Sequence, residues 1–238
     1  MAVGLDDAKQ TLGQRLADVV EDGMVLGIGT GSTAARAIDA IATRVRDEGL
    51  RVRGVPTSLS AERLCRMGGI ELTTLDDVEL IDLAFDGADE VAPDLSLIKG
   101  RGGAHAREKV VAAAARRFVV LADHTKRVQV LGSRMPLPVE IIPMALGPVS
   151  RMLAGLGAEP VLRTGSAKDG PTVTDQGLWI VDARFDGIPS PGDVDRTLLS
   201  TPGVLDHGLF LGLVSEVWFG EEDGTITVVE APSEGDGP

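Results

Sequence analysis

Tyrosine is absent from these 238 residues, and aromatic side chains make up only 3% of them. A core built with so few rings rests on Val, Leu, Ile and Ala, and the scarcity says nothing about function. A single cysteine, Cys65, excludes an internal disulfide framework and fits a reducing compartment. The three histidines, His105, His124 and His207, show no spacing that suggests joint metal ligation. No apolar run approaches the length of a membrane span. The opening MAVGLDDAKQ lacks a basic segment followed by an apolar one, so no signal peptide is expected and the chain is read as cytoplasmic. Positive charge is also in deficit: 23 Lys and Arg face 36 Asp and Glu, for a net charge of −13. Such a chain repels a phosphate backbone, which argues against nucleic-acid partners, yet a few converging donors can still hold a small anion.

What is present is a rhythm of short apolar runs and helical periods. Leu12, Leu16, Val19 and Val20 form the stripe of a first helix that Asp6 or Asp7 can cap. Strands are expected over 24–28, 52–55, 81–85 and 118–122, with helices over 61–67 and 106–116 and another carrying Ala34, Ala37, Ile38, Ile41 and Val45 on one face. This alternation predicts an α/β fold, a Rossmann-like, mostly parallel sheet with helices on both faces. After Arg134 the order becomes β-α-β-β-α-β, the split βαβ pattern, which predicts a smaller α+β, ferredoxin-like domain. The catalytic domain is expected over 1–133 and 206–238, the small domain over 134–205. Two last strands, 213–218 and 225–229, return to the first sheet, and the Gly/Pro-rich acidic tail 231–238 is expected to be disordered.

Gly27-Ile28-Gly29-Thr30-Gly31-Ser32-Thr33 lies at a strand-to-helix junction, where glycines admit an anion and the helix start offers N–H donors. A nucleotide P-loop would need a Lys at the helix start, and none is present. Gly29-x-Gly31-x-x-Ala34 satisfies the dinucleotide fingerprint formally, but the second strand ends in Pro56-Thr57-Ser58 without the acid that would hold a ribose. The hydroxyls of Thr30, Ser32 and Thr33 suit a sugar phosphate better, and a tight turn without a ligand stays the alternative. Further on, Asp86-Gly87-Ala88-Asp89-Glu90 follows a buried-looking strand, and Leu97-Ile98-Lys99-Gly100-Arg101-Gly102-Gly103 places a lysine before a flexible run. Arg107-Glu108-Lys109 enters the next helix. Taken alone, that glutamate reads as a solvated charge.

Residues Asp86 to Lys109, DGADEVAPDLSLIKGRGGAHAREK, resemble the signature stretch of type A ribose-5-phosphate isomerases. GIGTGSTA, PTSLSAE, LADHTKRVQVLG and PLPVEIIPMA resemble further segments of that family, in order and without large gaps. The resemblance implies an aldose–ketose isomerase of ribose 5-phosphate and ribulose 5-phosphate in the non-oxidative pentose phosphate pathway, working through an enediolate without cofactor or metal. It implies Glu108 as base, Lys99 as the cation for the enediolate oxygens, Asp86 as the ring-opening group and Asp89 as a positioner of hydroxyls or of Lys99. Thr30, Gly31, Ser32 and Thr33 would hold the phosphate with Lys126, and Lys9 is a further candidate. Gly87, Ala88, Gly100, Arg101 and Gly102 would line the substrate. A homodimer or homotetramer is implied as well. Two positions depart from the family pattern: Arg101 stands where Gly is usual, and His105 where Leu or a similar residue is.

Two other readings compete with this one. A sugar-phosphate-sensing regulator would need a DNA-binding module, and only one helix precedes the first strand. A coenzyme A transferase-like enzyme would need its own glutamate motif, which is not found. Cys65, in an apolar helix, is expected to pack. EDTA is expected to leave turnover unchanged, and a loss reversed by a divalent ion would contradict the metal-free reading.

Overall fold

The computed structural model describes residues 4–165 and 169–232, and the disorder expected for the tail lies, from residue 233 on, outside the described residues. Ala231, which was counted with that tail, donates its N–H to the Ser215 carbonyl at 2.8 Å. Close contacts divide the chain into one unit of residues 1–87, 107–126 and 212–238 and another of 88–106 and 127–211.

The first unit is built on strands β1 (Val25–Ile28), β2 (Arg53–Pro56), β3 (Glu71–Leu72), β4 (Leu83–Gly87), β7 (Phe118–Asp123), β13 (Glu216–Gly220) and β14 (Ile226–Glu230). They form one sheet in the order β14-β13-β7-β4-β1-β2-β3, parallel throughout except where β14 pairs antiparallel with β13. Its helices are α1 (Leu5–Asp18), α2 (Ser32–Glu48), α3 (Leu59–Gly68) and α4 (His105–Ala113), whose first two residues belong to the other unit. Leu12, Leu16, Ile38, Ile41 and Cys65, from α1 to α3, pack with Leu26, Ile28, Leu83, Phe85, Val119 and Leu121 in one core. Those strand residues alternate along β1, β4 and β7, so the same strands present Gly27 and Ala84 on the opposite face. There Val111 of α4 fills the space that a side chain on Gly27 would need. Helices therefore cover both faces, as expected of a parallel sheet. Asp6 and Asp7 do not cap α1; Gly4 is its N-cap, and the two acids lie in the first turn, where they face the positive end of the helix dipole. Burial pushes the Cys65 thiol up to about 11, in keeping with a packing role.

In the second unit β8 (Leu137–Ile141), α5 (Leu146–Gly155), β9 (Glu159–Leu162), β10 (Trp179–Arg184), α6 (Pro191–Leu199) and β11 (Val204–His207) follow the predicted β-α-β-β-α-β order. The sheet runs β11-β8-β10-β9, all pairs antiparallel, which is the ferredoxin-like arrangement. Leu137, Val139 and Ile141 alternate toward Val149, Leu153, Val194 and Leu198 of the two helices. The contact division departs from the boundaries expected at 134 and 205. Strands β5 (Glu90–Val91) and β6 (Leu97–Ile98) pair with β12 (Leu209–Phe210) in a small sheet, and Ile98, Val128, Leu131 and Leu209 join the second core. Gly208 separates β11 from β12; its N–H donates to the Pro138 carbonyl at 2.8 Å, and a side chain there would strike the Lys99 carbonyl. No helix among the described residues is long and apolar enough to cross a membrane.

Arg117 joins the β7 end of the first sheet to Glu216 by a two-pronged pair at 2.7 and 3.0 Å, and Trp218 donates to the same carboxylate at 2.8 Å. These donors hold the Glu216 carboxyl below the usual range, Arg117 foremost. A lowered folded-state value means stability present above the ordinary glutamate range and lost as pH falls from there through the lowered value. Glu216→Gln is therefore expected to lower the melting temperature at pH 7 but to narrow the gap to the wild type below about pH 4, as followed by thermal melts across pH.

Candidate functional site

The chain runs from β1 to β2 and β3 on one side, then returns to β4 and continues to β7 on the other, so the order reverses between β1 and β4. Open α/β sheets bind ligands at the carboxyl ends of strands at such a reversal. Here that place is filled by the Gly-rich turn after β1 and by Asp86-Gly87 at the end of β4.

Asp86 is buried, and its Oδ1 accepts the N–H of Thr30 at 3.0 Å and of Gly87 at 2.7 Å. Gly29 donates to the Phe85 carbonyl at 2.9 Å, and a side chain on Gly29 would run into the Asp86 carboxylate. The turn and the acid thus need a glycine between them. Gly31, at φ +108°, takes a backbone conformation that L side chains rarely adopt and ends at the start of α2. Ser32, Thr33 and Ala34 precede the first intrahelical bond, from Ala35 N–H to Gly31 O at 2.9 Å, so their amides have no partner inside the helix. Thr30 Oγ1 lies 2.8 Å from Thr57 Oγ1 and donates to Ser58 Oγ at 2.7 Å. Thr57 in turn donates to the Ile28 carbonyl at 3.0 Å, and Ser58 caps α3 by accepting from Ala61 N–H at 3.0 Å. A chain of hydroxyls therefore ties the turn to the end of β2.

Glu108 is buried in the first turn of α4. One turn separates it from Val111, so both occupy the helix face that packs on Gly27 and Ala84. Asp86 alternates with Ala84 along β4 and projects to that same face of the sheet. Arg107 reaches the Pro56 carbonyl at 3.4 Å, which places the start of α4 at the carboxyl ends of the strands. The glutamate that reads as a solvated charge in the sequence is thus buried at the same face and edge as Asp86. Lys126 ends the short helical turn His124–Lys126 after β7 and is half-buried. Lys9 follows Ala8, which packs on Gly220 at the end of β13, so it lies at the same edge; its ammonium is 3.4 Å from Asp6.

The second unit carries the other candidates. Lys99 is buried with its ammonium 5.4 Å from the centre of the Phe210 ring, and its N–H donates to Gly208 O at 2.9 Å. Asp89 is half-buried; it donates its N–H to Ile98 O and accepts the Arg101 N–H at 3.0 Å. Gly100 takes φ +104°, and Gly102 is exposed. Of the two departures noted in the sequence, Arg101 is exposed, whereas His105 is fully buried with Nε2 3.9 Å from Glu140. Burial holds the Glu140 carboxyl above its usual range. Ala88, half-exposed, joins Gly87 to Asp89. Among the described residues no three His, Cys, Asp or Glu side chains are grouped to hold a metal ion.

Sequence reasoning missed three supports. The hydroxyls of Thr57 and Ser58 were seen as a motif but not as partners of Thr30; an N-cap serine just after a strand was the available signal. Buried Glu90 accepts the amides of Gly132, Arg134 and Met135 at 2.6 to 2.7 Å. Arg163 Nη1 donates to the carbonyls of Gly100 and Arg101, both at 3.0 Å. Nothing in the local sequence signals the last two.

Residues 53–224 match the family Ribose 5-phosphate isomerase A (phosphoriboisomerase A). The chain belongs to this family. A ribose-5-phosphate isomerase A from Haloarcula marismortui is 51% identical over 225 residues, 94% of this chain and 96% of that protein. The structure of ribose 5-phosphate isomerase A from Methanocaldococcus jannaschii superposes with a TM-score of 0.91 at 42% identity, covering 95% of this chain and all of the other. A D-ribose-5-phosphate isomerase in complex with phospho-erythronic acid gives 0.93 at 38% identity, covering 96% and 100%. The fold over nearly the whole chain is thus shared with isomerases of this family.

Gly29→Ala should force Asp86 and the turn apart, costing about 1–3 kcal/mol of stability. Thermal melts and a turnover assay should both report it, activity falling even below the melting temperature.

Proposed function

We propose that this protein interconverts ribose 5-phosphate and ribulose 5-phosphate, with Glu108 as the base, as a step of the non-oxidative pentose phosphate pathway. The observation that carries the reading is the burial of Glu108 at the strand ends, on the sheet face that also bears Asp86, beside a turn built to receive a phosphate. Membership of the isomerase family supports the reaction, and the phospho-erythronic acid bound by a related enzyme supports the ligand class. That acid carries a phosphate at one end and a planar carboxylate at the other, resembling an enediolate held by its phosphate.

In the proposed reaction the amides of Ser32 and Thr33 and the hydroxyls of Thr30, Ser32 and Thr33 receive the phosphate, with Lys126 and, more weakly, Lys9 supplying charge. Gripping this non-reacting end fixes the distant carbons. Asp86 exchanges the proton that opens the furanose ring. Glu108 then removes the proton from C2, and the electron pair moves toward the C1 oxygen to give the enediolate. The C2 hydroxyl proton then passes to the C1 oxygen, and as a lone pair of the C2 oxygen forms the new carbonyl, the C1–C2 double-bond pair takes the proton back from Glu108 at C1 to complete the ketose. Lys99 is assigned the charge on the enediolate oxygens, and Asp89 the positioning of hydroxyls or of Lys99. Both assignments rest on the resemblance of residues 86–109, and the burial of Lys99 strengthens any charge it opposes. Gly87, Ala88, Gly100, Arg101 and Gly102 are proposed to line the sugar. A cytoplasmic enzyme and a homodimer or homotetramer complete the proposal; the exposed Ile142, Met144, Val161 and Leu205 are consistent with subunit contact.

Glu108→Gln is expected to cut kcat by about 10²- to 10⁴-fold while leaving the Kd for a phosphate ligand within a few-fold. Near-normal turnover in a coupled ribose 5-phosphate assay would remove Glu108 from the role of base.

A further inference from the structure

Arg163 follows β9, and its backbone is fixed on both sides: its N–H donates to Ile180 O and its carbonyl accepts from Thr172, each at 2.8 Å. Its guanidinium is mostly buried. Nε donates to Asp182 Oδ2 at 2.8 Å and Nη2 to Asp182 Oδ1, while Nη1 spans the carbonyls of Gly100 and Arg101. Four of the five N–H groups of the planar fork are thereby used, two on the carboxylate and two on the loop. Asp182 belongs to β10, a strand paired on both sides, so the anchor is rigid.

The peptide that joins Gly100 to Arg101 has its carbonyl on Arg163 and its N–H on Asp89 Oδ2 at 3.0 Å. A continuous relay results, from Asp182 through the guanidinium and this peptide to the Asp89 carboxylate. A cation on the carbonyl makes the N–H of the same peptide a stronger donor. The next peptide is held in the same way, and its N–H is that of Gly102. The Gly103 N–H closes the turn on Gly100 O at 3.0 Å, and Gly100 and Gly103 stand at φ +104° and +76°. A loop of such glycines keeps one shape only if something outside it fixes the carbonyls.

We infer that Arg163, clamped by Asp182, is a positioning residue that sets the Lys99–Gly103 loop and the Asp89 carboxylate for isomerisation. The inference rests on the proposed roles of Asp89 and Lys99. Lysine cannot replace the fork, because a single ammonium cannot meet both carboxylate oxygens and both carbonyls in one plane.

The test compares Arg163→Met, Arg163→Lys and Asp182→Asn with the wild type. Amide hydrogen exchange in residues 99–104, without ligand, is expected to quicken in Arg163→Met. Its kcat for ribose 5-phosphate is expected to fall on the order of tenfold or more. The inhibition constant of phospho-erythronic acid should rise by a similar factor, while that of inorganic phosphate stays within about twofold. Inhibition constants do not depend on the fraction of folded enzyme, so a merely structural defect would move neither. The Lys and Asn variants should fall between, and they carry the same comparison if Arg163→Met does not fold. Wild-type exchange in 99–104, or a loss of kcat with both inhibition constants unchanged, would overturn the inference. Absence of turnover in the wild type would instead overturn the isomerase reading, and the exchange measurement would still decide the clamp.

Discussion

The approach of the Asp86 carboxylate to the backbone of Gly29 and Thr30 constrains everything else at the strand ends. A buried carboxylate must have donors, because leaving it without them costs several kcal/mol. Here two of them are main-chain amides, one from the turn and one from its own strand end. The turn can come so near only because residue 29 has no side chain. Once Thr30 is fixed in this way, its hydroxyl meets Thr57 and Ser58, and the first turn of α2 is aimed by what precedes it. An acid that would usually lie in solvent thus acts as a brace for the turn after β1.

The second unit solves a related problem with other groups. Some of its irregular segments have little apolar surface of their own, so polar side chains from elsewhere in the unit hold them. Glu90 collects three amides from the segment after Leu131, and Arg163 collects two carbonyls from the Gly-rich loop. Glu90 bonds main-chain amides, and Arg163 divides its bonds between main chain and Asp182. Bonds to main chain fix backbone shape more directly than contacts between side chains do, which suits loops whose function depends on where their amides point.

The architecture was legible in the sequence because it follows from period and order. Buried parallel strands read as apolar runs, and the switch to β-α-β-β-α-β after Arg134 marked the small sheet. What escaped were elements too short to show a period, such as Glu90–Val91 and Leu97–Ile98, and the interruption at Gly208. The position of the Gly-rich turn at a strand–helix junction could be read from its glycines and hydroxyls. Glu108 could not, since its burial comes from the packing of α4 on Gly27 and Ala84, and only the resemblance of the surrounding stretch singled it out. Arg163 and Glu90 were illegible for another reason: the segments they hold lie about 40 to 60 positions away and are held by main-chain atoms, which leave no trace in residue identity.

The place of β13 in the first sheet has a consequence for the emerging chain. This strand, near the C-terminus, lies between β7 and β14, so until residues 216–220 have left the ribosome β7 has an open edge. A largely hydrophobic strand with unpaired amides is a template for association with other chains. A nascent or truncated chain lacking β13 and β14 would thus expose Phe118–Ala122 along one side.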